Sequence, residues 1–415
     1  MLPPVLEIYV LWHPGDAAGR AIADEIIEHF HGTAFTGLIG GAVEVLVRTE
    51  GWRATADAPR PISTPGDSPA NGVKQAMFTA IVPILGNAMA AAVEMDGPWR
   101  AYLRDLAAAK TQAATRIGIF PYHLHASALN DTQLNAVLGG YQGIAANRPQ
   151  EPYDTLRDLR CRDLSQGLAQ FVSSNRVDQL TVFISHTKHS ASAEVGDVGA
   201  LVELVRNVIA TTHLREFFDA RDLQPGSEWG DALAQNAAKS ALLAVRTDLY
   251  PSREWCQREV LVAKRSGMPV VILDALGYAE ERGSFLMDHV PRTPVRTVGT
   301  DWSRRDVYRS LNCLVDECLK RALWKRQYEL ARDRSELLVS WWAPHAPEPL
   351  TFINWLEQAK ASGDLPDGER PLRILHPDPP LGLDEKKVLA QMLSFGGVRN
   401  KLDIMTPRQL ASRGG

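Results

Sequence analysis

The chain has 415 residues, 45% hydrophobic and 23% charged, with a formal net charge of −4. That length exceeds one ordinary core, so two or three domains are expected. The composition is that of a soluble globular protein, and the charge gives no support for nucleic-acid binding driven by a global positive field. The four cysteines, Cys161, Cys256, Cys313 and Cys318, form no CxxC pair and no Cys/His cluster with zinc spacing. No metal site is expected, and reduced thiols in a cytoplasm fit this pattern. The first residues lack a charged region and a long apolar core, so no signal peptide is expected. The weakly polar run Met77 to Val93 is interrupted by Pro83, Gly86 and Asn87 and is too short to span a bilayer. No membrane contact is expected.

In chain order, Leu6 to Trp12 reads as a buried strand. Ala18 to Phe30 reads as a helix with Ile22, Ile26, Ile27 and Phe30 on one face. Val43 to Arg48 is a second strand, Arg53 to Asn71 a surface loop, Phe78 to Leu85 a third strand. Trp99 to Lys110 is a helix and Arg116 to Phe120 a fourth strand. Glycines and prolines make Asn130 to Tyr153 loop-like, and a connecting helix follows from Leu156 to Val172. A second cycle begins with the strand Leu180 to Ile184, then a helix from Val198 to Ile209 and a short strand from Arg215 to Phe218. Ser227 caps a further predicted helix, which ends near Lys239, and Ala241 to Val245 is a strand. Met268 to Leu273 is the next strand, Val295 to Val298 an edge strand, and Asp306 to Leu330 a long helix. A last region opens with a strand at Glu336 to Trp341. A helix from Thr351 to Ala361, a strand from Pro371 to Leu375 and a helix from Asp384 to Leu393 follow. The tail from Leu402 to Leu410 reads as one more strand and a turn. Strands alternating with helices argue for α/β architecture with parallel sheets. The expected organisation is an N-terminal domain over 1–150, a connecting helix over 151–177, a middle domain over 178–330 and a small C-terminal α/β region over 333–415.

The organising stretch is Pro251 to Lys264. Ser252 is placed as an N-cap, Glu254 suits the first turn, and Lys264, Arg265 and Gly267 suit the helix end. Trp255, Cys256, Val260 and Ala263 make its apolar stripe, with Glu259 at the edge and four residues from Trp255. Ser185 and His186 fall just past the first strand of the middle region, Asp219 and Arg221 past the second, and Arg246 and Asp248 past the third. In an open parallel sheet, ligands bind at that edge.

These residues carry a resemblance. Val182-Phe-Ile-Ser-His186, Phe217-Phe-Asp219 with Pro225-Gly226 and Trp229, Ser252-Arg-Glu-Trp-Cys-Gln-Arg-Glu259 and Pro269-Val-Val-Ile272 stand in the order and spacing of a TIR (Toll/interleukin-1 receptor) domain. Residues 178 to about 325 resemble that family. The resemblance implies a flavodoxin-like fold and cleavage of NAD+ at the nicotinamide–ribose bond, with Glu259 as the catalytic acid. NAD+ is then the substrate and no separate cofactor is implied. Ser185, His186, Phe218, Asp219, Arg221 and Trp255 are candidate substrate contacts. Asp222, Leu223, Pro225, Gly226 and Trp229 belong to a loop expected to drive self-association. The loop after the first strand of the middle region departs from the family at Thr187-Lys-His-Ser, where an acid is often found. A loose internal repeat aligns Trp99 with Trp255 and Leu103 with Glu259, so residues 1–150 are expected to be a TIR-like domain without the acid. The resemblance implies a cytoplasmic bacterial defence effector, with a defence-system partner protein as a candidate partner. Its rivals are a TIR scaffold without catalysis and a cyclase making a cyclic ADP-ribose-type signal. A nucleotide-binding sensor is weaker, because Leu38-Ile-Gly-Gly41 is too short for a phosphate loop.

Overall fold

The run Leu6–Trp12 forms β1, and every residue in it except Glu7 is buried. A strand buried on both faces belongs in the middle of a parallel sheet. In the computed structural model β1 pairs in parallel on one side with β2 (Val43–Arg48) and on the other with β3 (Phe78–Leu85). The structure describes residues 4–32, 34–35, 42–51, 58–65, 75–95, 97–125, 132–146, 148, 153–173, 179–187, 198–217, 240–280, 283–331, 338–366, 368 and 370–413. The chain divides into two units, Met1–Val172 and Ser173–Gly415.

In the first unit α1 (Ala18–Phe30) follows β1, and α2 (Asn87–Glu94) and α3 (Pro98–Gln112) follow β3. β4 (Ile117–Ile119) and β5 (Tyr122–His123) both lie along β3, separated by Phe120 and Pro121. α4 (Thr132–Leu138), β6 (Ile144–Ala145) and α5 (Tyr153–Val172) complete the unit. The sheet order is β2-β1-β3-β5-β6, with β4 also on β3. Three elements, α2, α4 and β6, depart from expectation. The stretch read as loop from Asn130 to Tyr153 contains α4 and β6, because Leu134 and Leu138, four apart, join the core around Trp99 and Leu103. The helix α2 is also additional. Its first turn is capped by Asp16, whose carboxylate accepts from the backbone N–H of Ala88 at 2.9 Å and Met89 at 3.0 Å. Of the predicted loop Arg53 to Asn71, only 58–65 is described, and it holds neither helix nor strand. Leu38 to Gly41 lies outside the described residues.

The second unit builds its main sheet from β7 (Thr181–Ser185), β8 (Arg215–Phe217), β9 (Ser240–Arg246), β10 (Val270–Asp274) and β11 (Arg292–Pro294). All pairings are parallel, in the order β11-β10-β9-β7-β8. The helices are α6 (Val198–Ala210), α7 (Glu254–Arg265) and, after a small hairpin of β12 (Thr297–Val298) and β13 (Asp301–Trp302), α8 (Arg304–Ala331). The edge strand therefore runs over 292–294 and not Val295 to Val298. Val295 turns inward and is buried, and Thr297 and Val298 pair with β13. The helix predicted from Ser227 lies outside the described residues.

A three-stranded parallel sheet follows: β14 (Trp341–Trp342), β15 (Leu372–Leu375) and β16 (Leu402–Met405), in that order, with α9 (Pro349–Ser362), α10 (Leu383–Phe395) and α11 (Pro407–Ser412). The strand expected from Glu336 begins later, at Trp341, because Leu338 takes a left-handed φ of 43° that a strand cannot accommodate. Residues 336 and 337 lie outside the described set. This layer is tied to the main sheet through buried charge. Lys264 on α7 donates to the Asp288 carbonyl at 2.8 Å and lies 3.5 Å from Glu348. Glu348 in turn caps α9, accepting from Leu350 N at 2.9 Å and Thr351 N at 3.3 Å. Among the described residues no helix is long and apolar enough to cross a membrane.

Two predictions follow from this layer. Glu348→Ala removes a helix cap and strands the buried Lys264 ammonium, so urea unfolding should show a loss of about 3 kcal/mol. Burial, with the nearby Arg321 cation, pulls His345 down to about 3, and burial also lowers His376. A base whose folded pKa is depressed binds fewer protons folded than unfolded. Its contribution is therefore complete above pH ~6.5 and drains away as the pH falls toward the folded value. The urea midpoint should drop between pH ~6.5 and 4, and His345→Asn should flatten that slope.

Candidate active site

The helix that carries Glu259 is built by local rules, with two departures from the expected pattern. Its start is not capped by Ser252. Tyr250–Ser252 forms a 3-10 turn with Pro251 inside it, and the Ser252 hydroxyl donates to the Leu249 carbonyl at 2.8 Å. Arg253 takes the N-cap position in an extended conformation, and Glu254 opens α7 near the positive end of the helix dipole. The end follows the Schellman pattern: Met268 N bonds Ala263 O at 2.9 Å and Gly267 N bonds Lys264 O at 3.0 Å. Gly267 holds a φ of +68°, which favours glycine. The buried face runs through Cys256, Val260 and Ala263, at i, i+4 and i+7. Trp255 does not belong to it. One residue round the helix from Cys256, Trp255 is 46% exposed, with the Arg258 guanidinium 5.7 Å from its ring centroid.

Glu259 stands at the border of that face, half-buried and one turn beyond Trp255. Ser185 is the last residue of β7 and is buried. Its hydroxyl donates to the Glu259 carboxylate. The same oxygen lies 2.6 Å from the hydroxyl of Tyr250, a side chain with no exposed surface. Burial first, then the neighbouring Cys256 and Glu259, holds the Tyr250 phenol well above its ordinary value. His186 is half-buried, with Nδ1 2.9 Å from the Thr187 carbonyl, and its own carbonyl oxygen lies 3.7 Å from Cys256 Sγ. Burial, with Glu259 adding to it, pushes the Cys256 thiol up to about 12, so it is neutral at physiological pH and is no nucleophile.

The structure thus gathers Ser185, Glu259 and Tyr250 at the carboxyl end of β7, with His186 next in the chain and Trp255 on the same side of α7 as Glu259. Phe218, Asp219, Arg221, Asp222, Leu223, Pro225, Gly226 and Trp229 lie outside the described residues. Tyr250 is the residue that sequence reading missed. Its only signal is an aromatic ring ahead of Pro251, and nothing local says that it meets a serine 65 positions earlier. Arg246 and Asp248 brace the chain after β10. Arg246 bonds Asp274 at 3.2 Å and also Glu280, while Asp248 accepts from Gly277 N and Tyr278 N at 3.0 Å each. Among the described residues no group of three or more His, Cys, Asp or Glu could hold a metal ion.

A carboxylate with a fixed hydroxyl donor and an exposed indole one turn away can accept from substrate hydroxyls and stabilise a developing cation, with an aromatic face for an apolar ring. The neutral, buried thiol yields a direct check. Iodoacetamide at pH 8 should alkylate Cys256 in the native protein at least ~10-fold more slowly than in urea, read by peptide mass mapping. Searches for relatives returned no matching family model and no similar curated protein.

Proposed function

We propose that residues 178 to about 325, within the second unit, are a TIR domain of the NAD+-cleaving type and that Glu259 is its catalytic carboxylate. The observation that carries this reading is the hydrogen bond from Ser185 to Glu259. It brings together two of the motifs on which the resemblance rests, 74 residues apart in the chain, at the carboxyl edge of a parallel sheet. Counted from its own first strand, the sheet runs second, first, third, fourth, fifth, an order that supports a flavodoxin-like arrangement with ligands at that edge.

The chemistry suits one carboxylate. The C–N bond between ribose and nicotinamide breaks, the electron pair leaves with nicotinamide, and the positively charged leaving group becomes neutral. No strong general acid is needed. Positive charge moves to the ribose, as in other oxocarbenium-like cleavages, and Glu259 stabilises it. Water then adds to the ribose and releases a proton, giving ADP-ribose. Trp255 supplies an aromatic surface for nicotinamide or the sugar. Self-association through the 219–229 loop, a cytoplasmic location, a partner protein and a role in defence rest on the resemblance alone.

The test is release of nicotinamide from NAD+ by purified protein across a range of protein concentrations. Wild type should release it, with a rate per chain that rises with concentration. Glu259→Gln should lower the rate on the order of 10²–10³-fold. Product mass separates hydrolysis from cyclisation. Absence of nicotinamide release at every concentration would leave an assembly-only protein.

A further inference from the structure

We propose that Tyr250 is a positioning residue for Glu259, acting through Ser185 as the middle of a one-way hydrogen-bond chain. This rests on the reading of Glu259 as the catalytic carboxylate.

The direction of the chain follows from counting protons. An ionised carboxylate only accepts, so the contact between Ser185 and Glu259 uses the single proton of the serine hydroxyl. The Tyr250 oxygen, 2.6 Å from the same serine oxygen, must then be the donor, using the phenol proton against a serine lone pair. Burial keeps that phenol protonated across the working range of pH. The order is therefore Tyr250 O–H to Ser185 Oγ, and Ser185 O–H to Glu259 Oε2. The two buried members, Ser185 and Tyr250, are fixed by packing. Ser185 is 2% exposed at the end of β7, and Tyr250 belongs to the core cluster with Cys256 and Val260 of α7.

Two consequences follow. A serine hydroxyl alone rotates about its C–O bond and offers its proton to any acceptor in reach. With a phenol donating to its lone pair, the proton is aimed at one carboxylate oxygen, which fixes the Glu259 rotamer before substrate arrives. The second concerns Ser185 itself. Its proton is committed to Glu259, so any contact of Ser185 with substrate is not one in which it donates.

The experiment compares wild type, Tyr250→Phe, Ser185→Ala, Glu259→Gln and the pairwise doubles, all as full-length protein. Tyr250→Phe removes one oxygen from a buried ring and keeps the ring in the core. Its kcat should fall on the order of tenfold while KM changes less than about twofold. In the Glu259→Gln background the same change should have no further effect on the residual rate. A purely structural tyrosine would slow both backgrounds alike, and that result, or an unchanged kcat, overturns the proposal. Urea unfolding supplies a readout independent of NAD+. Tyr250→Phe and Ser185→Ala should each lower the midpoint, and the double should lie no lower than Ser185→Ala alone. Additive midpoints would overturn the chain. If wild type releases no nicotinamide, the catalytic reading fails by itself, and the unfolding cycle still decides whether Tyr250, Ser185 and Glu259 are coupled.

Discussion

A carboxylate half out of water, beside the apolar face of a helix, needs a donor that does not move. In this protein the donor is the hydroxyl of Ser185, and much of the second unit serves to bring it to Glu259. The serine must stand at the carboxyl end of β7, the glutamate must face it from α7, and the two must keep register. Parallel pairing of β7 with β9 sets the first condition, aligning Ser185 with Ala244 two residues before β9 ends. The turn at Tyr250–Ser252 sets the second, since it redirects the chain from β9 into α7.

The register of α7 is held from both ends and from beneath. Cys256, Val260 and Ala263 seat it on the sheet, Gly267 stops it, and Lys264 anchors its last turn to Asp288 and Glu348. The last contact matters most for the domain plan. A lysine is rarely buried unless paired, and here its partner is the cap of α9, the first helix of the three-stranded layer. The C-terminal layer is thereby part of the scaffold that holds Glu259 in place. Trp324 and Tyr328 of α8, whose rings approach Trp342 of β14, extend the same attachment.

In the first unit, as in the second, the first strand lies between the second and the third. Trp99 and Leu103, which the repeat expected from sequence would set opposite Trp255 and Glu259, are both inside the core. A carboxylate at position 103 would be buried without water. The backbone N–H groups that open α2, a natural place for an anion, are already taken by Asp16. A Cβ at Gly86 would fall 2.3 Å from the Asp16 carboxyl carbon, so the glycine is what lets that side chain in. The first unit satisfies its own helix terminus and leaves that position closed.

Periodicity and local chemistry were enough to read most elements. Short apolar runs such as Leu6 to Trp12 and Ala241 to Val245 have the length of buried strands, and the stripe Cys256, Val260, Ala263 with Gly267 behind it fits a helix. Both signals are short-range, set by side chains within one or two turns of each other. The sequence alone also singled out Glu259 beside Trp255, because spacing of four puts two residues on one side of any helix. Elements held by distant partners escaped it. The helix α2 is capped from 72 residues away, α4 is fastened by its leucines to α3, and β14 starts where Leu338 permits. Tyr250 escaped for the same reason. Its role is defined by a hydroxyl on another strand, and the hydrogen bond that gives it meaning exists only after the sheet has brought residues 185, 250 and 259 together.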